Sequence, residues 1–442
     1  MSMTSPSPGK RRTTGPRADF VTPGARIQAA IELLEEVEGS PRPADGVIAN
    51  WFRARRYIGS KDRKAIHERL YDALRRRAHL GWWLDRIGVE ASARARLLAH
   101  LTLADHAKQD VLNGLFDGEK FCPARMSSDE RKWTVELERQ RLENAEMPDW
   151  VRLEYPEWLD DKLRARFGEN LDVEMRALLL PARLDLRVNA LKATREEAIH
   201  ALAQEEIIAQ PTELSPWGLR IPERVNLMAS KAFKDGLVEV QDEGSQLAAQ
   251  LVGAEPGMSV CDFCAGAGGK TLALASTMNN KGRLVACDVS EGRLSRSADR
   301  LKRAGVHNVT RHVLDATGAK WVKRQAGSFD RVLVDAPCTG TGTWRRNPDA
   351  KWKMTPTDLA ELTVKQGEIL ERAARLVKPG GKLIYVTCSL LPDENEAQIE
   401  AFLAKAKDFA LEPISAERPY LHLTPAQHGT DGFFAAKLVR VE

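Results

Sequence analysis

No stretch of this 442-residue sequence stays apolar for the roughly 20 residues that a membrane-spanning helix needs, so no membrane partner is expected. The six cysteines are too few and too irregularly placed for a disulfide framework, which points to a reducing compartment and a cytoplasmic location. Cys261 and Cys264 form a C-x-x-C, but Cys122, Cys287, Cys338 and Cys388 are scattered singles. Zinc would need a second ligand pair, so the spacing is read as incidental and no metal is expected. Strong charge of one sign is missing too: the formal net charge is +4, which does not demand a polyanion. The opening residues, rich in Ser, Pro, Thr and Arg, lack the hydrophobic core of a secretory signal, and 1–21 reads as a disordered basic tail.

What is present fits a soluble globular chain of two or three domains. Charge is distributed unevenly. From Trp51 to Arg96 there are thirteen Lys or Arg against five Asp or Glu, a basic helical surface that could meet RNA. Trp51, Trp82 and Trp83 sit in this region and suit either RNA stacking or a core. Ile27, Ala30, Ile31, Leu34 and Val37 recur at helical spacing. Further helices are expected around Ile48 to Ile58, after the cap-like Ser60-Lys-Asp-Arg63, around Trp82 to Ile87, and from Ala91 to Leu112. Residues 22–145 therefore read as an all-helical domain. In 146–235, the helix of Glu157 to Phe167, strands at Leu184 to Asn189, Glu206 to Ala209 and Gly218 to Ile221, and a capping box at Thr194 and Glu197 predict a small α+β unit. From 236 to 442 strands and helices alternate, as a mostly parallel, Rossmann-like α/β sheet requires. Thr355-Pro-Thr-Asp358 starts a helix there, and Lys378-Pro-Gly-Gly381 is read as its end.

This last region holds the most informative segment, Val260-Cys-Asp-Phe-Cys-Ala-Gly-Ala-Gly-Gly-Lys-Thr271. A strand enters a glycine loop and leaves as a helix, the place where a cofactor meets bare backbone. Two phosphate-binding patterns each fail by one residue. A Walker A loop needs glycine where Cys264 stands, and a dinucleotide fingerprint needs a third glycine where Thr271 stands. Without a pyrophosphate loop, a nucleoside such as S-adenosyl-L-methionine is the better candidate. Asp288, ending the next strand, stands where a ribose diol would lie.

Chemistry in an open parallel sheet gathers at the carboxyl ends of its strands. Those ends read Asp262, Asp288, Asp315, Asp335-Ala-Pro-Cys338 and Thr387-Cys388-Ser389. Two cysteines at strand ends suggest methylation of a pyrimidine at carbon 5. That carbon is a poor nucleophile until a thiolate adds to carbon 6, and the carbon 5 proton must then be removed. Cys338 and Cys388 can divide these roles, with Asp335 at the polar edge of the ring. Spacing does not say which one attacks.

Cys264-Ala-Gly-Ala-Gly-Gly-Lys270, Asp335-Ala-Pro-Cys-Thr-Gly-Thr-Gly342, Arg345-Arg-Asn-Pro-Asp349, Thr387-Cys-Ser389 with Glu394-Asn-Glu396, Gln241-Asp-Glu-Gly-Ser-Gln246 and Gly429-Thr-Asp-Gly-Phe-Phe434 resemble the RsmB/Sun family of RNA cytosine-5 methyltransferases. The resemblance runs from about Arg187 to the C-terminus. Upstream of that stretch, Gly59-Ser-Lys-Asp-Arg63 and the helical content are similar to the NusB-type RNA-binding domain of bacterial ribosomal members. The resemblance implies Cys388 as nucleophile and Cys338 as the residue that assists release. It implies a cofactor pocket of Cys264, Ala265, Gly266, Ala267, Gly268, Gly269, Lys270, Asp288, Asp315 and Asp335. Asp315 would lie at the adenine and Asp335 would also face cytosine; Arg293 would support the loop, and Lys270 would bridge cofactor and base. The common family loop has proline where this chain has Ala267, a looser turn that removes no contact. The target cytosine must leave its stack, which favours single-stranded or looped RNA. Ribosomal RNA, specifically 16S, is the expected substrate and a monomer the expected state. Transfer RNA is the alternative substrate, and a catalytically silent RNA-binding assembly or antitermination factor the alternative function.

Overall fold

In a computed structural model of the protein, the described residues are 22–223, 225–315 and 318–441. The tail expected over 1–21 lies outside them. They fall into two compact units, one ending at Glu154 and the other beginning at Tyr155. Among the described residues no helix is long and apolar enough to cross a membrane.

The first unit is helical throughout its described elements, from Pro23–Gly39 to Asp149–Arg152. The stripe of Ile27, Ala30, Ile31, Leu34 and Val37 is buried, and Thr22 caps its helix through the Ala25 N–H. The single helix expected from Ala91 to Leu112 is instead two, Ala93–Leu103 and Gln109–Leu115. The break is local: His106 takes a left-handed φ of 55°, and the Ala107 N–H turns back to the Leu101 carbonyl. Trp51 and Trp83 are core residues, each 3% exposed. Trp82 is half-buried under the Arg86 guanidinium, 5.0 Å from its ring centre.

The second unit contains two sheets. The smaller is antiparallel, with β1 (Leu184–Val188), β2 (Gln210–Pro211), β3 (Gly218–Ile221) and β4 (Val238–Val240) in the order β2-β3-β1-β4. The helix Arg195–Ala203 opens with the expected capping box. The strand expected at Glu206 to Ala209 does not form. Glu206 is left-handed (φ 61°) and the Ile207 N–H bonds to the Leu202 carbonyl, so these residues close the helix and pairing starts only at Gln210.

The larger sheet comprises β5 (Ser259–Asp262), β6 (Arg283–Asp288), β7 (Val309–Val313), β8 (Phe329–Asp335), β9 (Val377–Thr387), β10 (Phe409–Glu412), β11 (Leu421–Leu423) and β12 (Phe433–Arg440). Its order is β10-β12-β9-β8-β5-β6-β7, with β11 paired to β12. The strands from β9 to β7 are parallel, and β12 runs antiparallel to β9. The chain winds outward from β5 to β7 and then returns to β8 on the other side of β5, which leaves a crevice at that switch point. Residues 378–381 do not end the helix Pro356–Ala374 as expected; they lie inside β9, where a register shift opposite Phe329 and Arg331 absorbs them.

Alternation along β8 and β9 divides the core. Val332, Val334, Leu383 and Tyr385 pack with Leu370 and Ala373 on one face, while Leu333, Ile384 and Val386 pack with Leu274 and Met278 on the other. Gly342 is fixed by crowding beyond the end of β8. Its carbonyl accepts from the Gly432 N–H and its own N–H donates to the Cys388 carbonyl, both at 2.9 Å. A β-carbon there would stand 2.3 Å from the Gly432 oxygen, which as backbone cannot swing away. Gly342→Ala is expected to destabilise this unit by about 1–3 kcal/mol, measured as a lowered denaturation midpoint with hydrogen exchange localising the loss to 339–343 and 429–433.

Candidate active site

The parallel strands β5, β6, β8 and β9 deliver Asp262, Asp288, Asp335 and Thr387 to one edge, with Asp315 two residues beyond β7. A cavity of about 620 Å³ opens there, within the range of small-molecule sites. Nine of the residues expected to bind a cofactor line it: Cys264, Ala265, Gly266, Ala267, Gly269, Lys270, Asp288, Arg293 and Asp335. Gly268 and Asp315 do not. Gly268 sits at the turn into the helix Gly269–Thr277, and Asp315 is an exposed residue following Leu314, which does line the cavity.

The loop turns through left-handed Gly266 (φ 54°) and Gly268 (φ 82°), a conformation that costs side-chain-bearing residues free energy. At Gly268 a β-carbon would also meet Ser297 at 2.9 Å. Asp288 pins the loop: its Oδ2 accepts the Gly266 N–H at 3.0 Å and its Oδ1 the Ser290 N–H at 2.8 Å. The guanidinium that holds the loop backbone is that of Arg300, which donates to the Ala267 carbonyl at 2.7 Å. Arg293, expected in that role, instead lines the cavity 4.0 Å from Asp288 with 57% of its side chain exposed. The available signal was spacing, since Arg300 follows Arg293 by two turns on one helix face.

Lys270 and Asp335 meet across the cavity floor, Nζ to Oδ2, at 2.7 Å. Burial works against the Lys270 charge, but Asp335, with Cys388 and Asp262, outweighs it and holds the ammonium above its usual range. Asp262 lies behind the loop and is fully buried. Burial pushes its carboxyl up to about 7, although the Thr271 hydroxyl donates to Oδ2 at 2.7 Å. Its Oδ1 has no hydrogen-bond partner among the described residues.

The two cysteines are together. Cys338 Sγ and Cys388 Sγ are 3.5 Å apart, both half-buried, and Pro337 beside Cys338 lines the cavity. The hydrogen bond with Cys388, burial and the charges of Cys388 and Glu394 push the Cys338 thiol well above its ordinary value. Of the C-x-x-C pair, Cys261 belongs to the core and only Cys264 reaches the cavity.

Three further wall residues, Gln241, Asp242 and Ser245, come from the segment after β4, which drew notice in the sequence only as part of a family-like motif. Gln241 Oε1 is buried and, among the described residues, has no partner. Behind it Asp242 and Asp431 share the guanidinium groups of Arg345 and Arg346, tying this segment to 345–346 and 429–431. Lys365, Glu368, Ile369 and Arg372 of the helix Pro356–Ala374 form another part of the wall; no local sequence signal marked them. Bare backbone at Gly266, a carboxylate with lone pairs left for a diol, and an unsatisfied acceptor at Gln241 together fit the S-adenosyl-L-methionine expected from the sequence.

Residues 249–439 match the family described as 16S rRNA methyltransferase RsmB/F, and residues 155–228 the RsmF/B-like ferredoxin-like domain. The chain is 32% identical over 381 residues to the probable ribosomal RNA small subunit methyltransferase B of Synechocystis sp., covering 83% of this chain and 82% of that protein. It is 30% identical over 410 residues to the ribosomal RNA small subunit methyltransferase B of Salmonella arizonae, covering 87% and 92%. The crystal structure of PH0851 superposes with a TM-score of 0.78 at 29% identity, over 94% of this chain and 99% of that one. A strand-end cavity, a glycine loop pinned by Asp288 and these matches lead to one conclusion: the chain belongs to the RsmB/F family of ribosomal RNA methyltransferases, which depend on S-adenosyl-L-methionine.

Proposed function

We propose that this chain methylates carbon 5 of a cytosine in RNA, 16S ribosomal RNA in the first instance, through a covalent bond from Cys388 to carbon 6. The observation that carries the reading is the contact of two cysteine sulfurs at 3.5 Å beside a cofactor-sized cavity. Methylation of an amine or hydroxyl needs positioning and a base but no thiol, and has no use for two. When bound, S-adenosyl-L-methionine supplies an electrophilic methyl group. Gly266, Asp288 and the neighbouring loop would hold its nucleoside, and Lys270 with Asp335 would stand between it and the base.

The Cys388 thiolate adds to carbon 6, and the ring's displaced electron pair makes carbon 5 nucleophilic. Asp335 accepts a hydrogen bond from the exocyclic amine of the ring, held in place by Lys270. After methylation the carbon 5 proton is taken by a base, the carbon 5–carbon 6 double bond re-forms and the Cys388 sulfur leaves. Cys338, in contact with Cys388, assists this release. The small sheet of β1 to β4 and the basic helical unit are assigned to RNA contact.

Cys388→Ala is expected to reduce methyl transfer to background, read as methyl incorporation into a 16S transcript and mapped by bisulfite sequencing; retained activity would rule the assignment out. Cys338→Ala is expected to accumulate a protein–RNA adduct that survives denaturing electrophoresis. Asp288→Ala removes a charge-assisted acceptor and is expected to weaken cofactor binding about 10- to 100-fold in calorimetry.

A further inference from the structure

We propose that Glu394 is a positioning residue for methyl transfer: its buried carboxylate holds the loop carrying Cys338 against the loop carrying Cys388. The inference rests on the covalent reading given above and deepens it. Glu394 is 0% exposed. Its Oε1 accepts the Thr339 backbone N–H and the Gln366 Nε2–H, each at 2.9 Å. Its Oε2 accepts the hydroxyls of Thr339 and Ser389. Thr339 follows Cys338 and Ser389 follows Cys388, so one carboxylate grips the residue next to each sulfur. Gln366 donates as well to the Pro337 carbonyl at 2.9 Å, which fixes the other side of Cys338.

Glu394 is itself held from behind. Its carbonyl accepts from the Tyr385 hydroxyl at 2.8 Å, and the neighbouring Asn395 donates to the Ser389 carbonyl at 2.9 Å. Among the described residues every donor to the carboxylate is neutral. Burying a carboxylate among neutral groups costs free energy that a neutral amide, able to make similar ties, would avoid. The carboxylate also acts on the neighbouring Cys338 thiol, which it pushes up. The groups facing Cys338 are the Cys388 thiol, the Glu394 carboxylate, the Tyr385 phenol and the Gly340 backbone N–H. The Lys270 ammonium acts on Cys388 and Asp335 instead. Glu394 acts on Cys338 and Lys270 on Cys388, so the two sulfurs stand in unequal surroundings.

Two substitutions separate the clamp from the charge. In Glu394→Gln the Thr339 and Ser389 hydroxyls can turn to accept from the new amide, so the ties persist while the charge is gone. Glu394→Ala removes both. The measurements are cofactor affinity by calorimetry, single-turnover methylation of a 16S transcript, and the pH dependence of Cys338 alkylation by iodoacetamide, resolved by peptide mass spectrometry. Glu394→Ala is expected to lower the single-turnover rate about 100-fold, the scale of a small misplacement of reacting groups, with cofactor affinity kept. Glu394→Gln is expected to move the Cys338 alkylation midpoint to lower pH, since a nearby negative charge no longer opposes the thiolate. A Glu394→Ala rate within about threefold of wild type overturns the proposal. So does an unmoved Cys338 midpoint in Glu394→Gln, because a carboxylate that grips Thr339 lies close enough to Cys338 to oppose its thiolate; this outcome also decides the matter if the alanine variant fails to fold. Wild-type methylation that survives Cys388→Ala would instead remove the covalent reading itself, a separate and recognisable result.

Discussion

The pairing of β8 with β9 governs the site. Its register runs from Arg331 opposite Lys382 to Asp335 opposite Val386, and the Ala336 N–H extends it to the Val386 carbonyl at 2.9 Å. Both strands therefore end together, and the loops that follow leave side by side. Cysteines 50 positions apart meet for that reason. A slip of one residue would turn each side chain of a strand to the opposite face and would part the two sulfurs. Because alternate residues of both strands are buried on both faces, such a slip would also expose one core and overfill the other.

Around this frame the protein buries several charges, and each connects segments distant in sequence. Lys270 and Asp335 join the glycine loop to the end of β8. Arg345 and Arg346 with Asp242 and Asp431 join three loops into one wall. Burial, reinforced by Asp431, pushes the Asp242 carboxyl up to about 6, opposed by the two guanidinium groups. Buried pairs of this kind are weak sources of net stability, because desolvation offsets most of the attraction. Their directional hydrogen bonds favour one arrangement over near alternatives, which suits a site whose reacting atoms must be placed to a fraction of an ångström.

The small sheet reaches the glycine loop through a chain of polar contacts. Glu239 on β4 meets Arg300 at 3.4 Å and Arg303 at 2.5 Å, and Arg300 holds the Ala267 carbonyl. Asn189, just past β1, donates to the Gly236 and Ala304 carbonyls, both at 2.9 Å. Arg187 lies in the same cluster, and burial lowers its guanidinium to about 10 despite Glu239. The glycine turn at the cavity is thus fastened to the smaller sheet.

Much of this was legible in the chain before folding. The glycine loop, the acid at the end of the next strand, the caps at Thr194 and Thr355 and the cysteines at strand ends are patterns among near neighbours, and the α/β architecture follows from their order. Misreadings arose where short patterns are ambiguous. Glu206 to Ala209 has strand composition but closes a helix, and residues 378–381 resemble a turn but belong to β9. Partnership at long range was not legible. That Lys270 binds Asp335, that Arg300 rather than Arg293 holds the loop, and that Glu394 grips both cysteine loops depends on sheet order and register, which arise only when the cores on the two faces of the sheet pack together. Residue type and spacing state which chemical groups the chain owns; closure of the sheet states which of them touch.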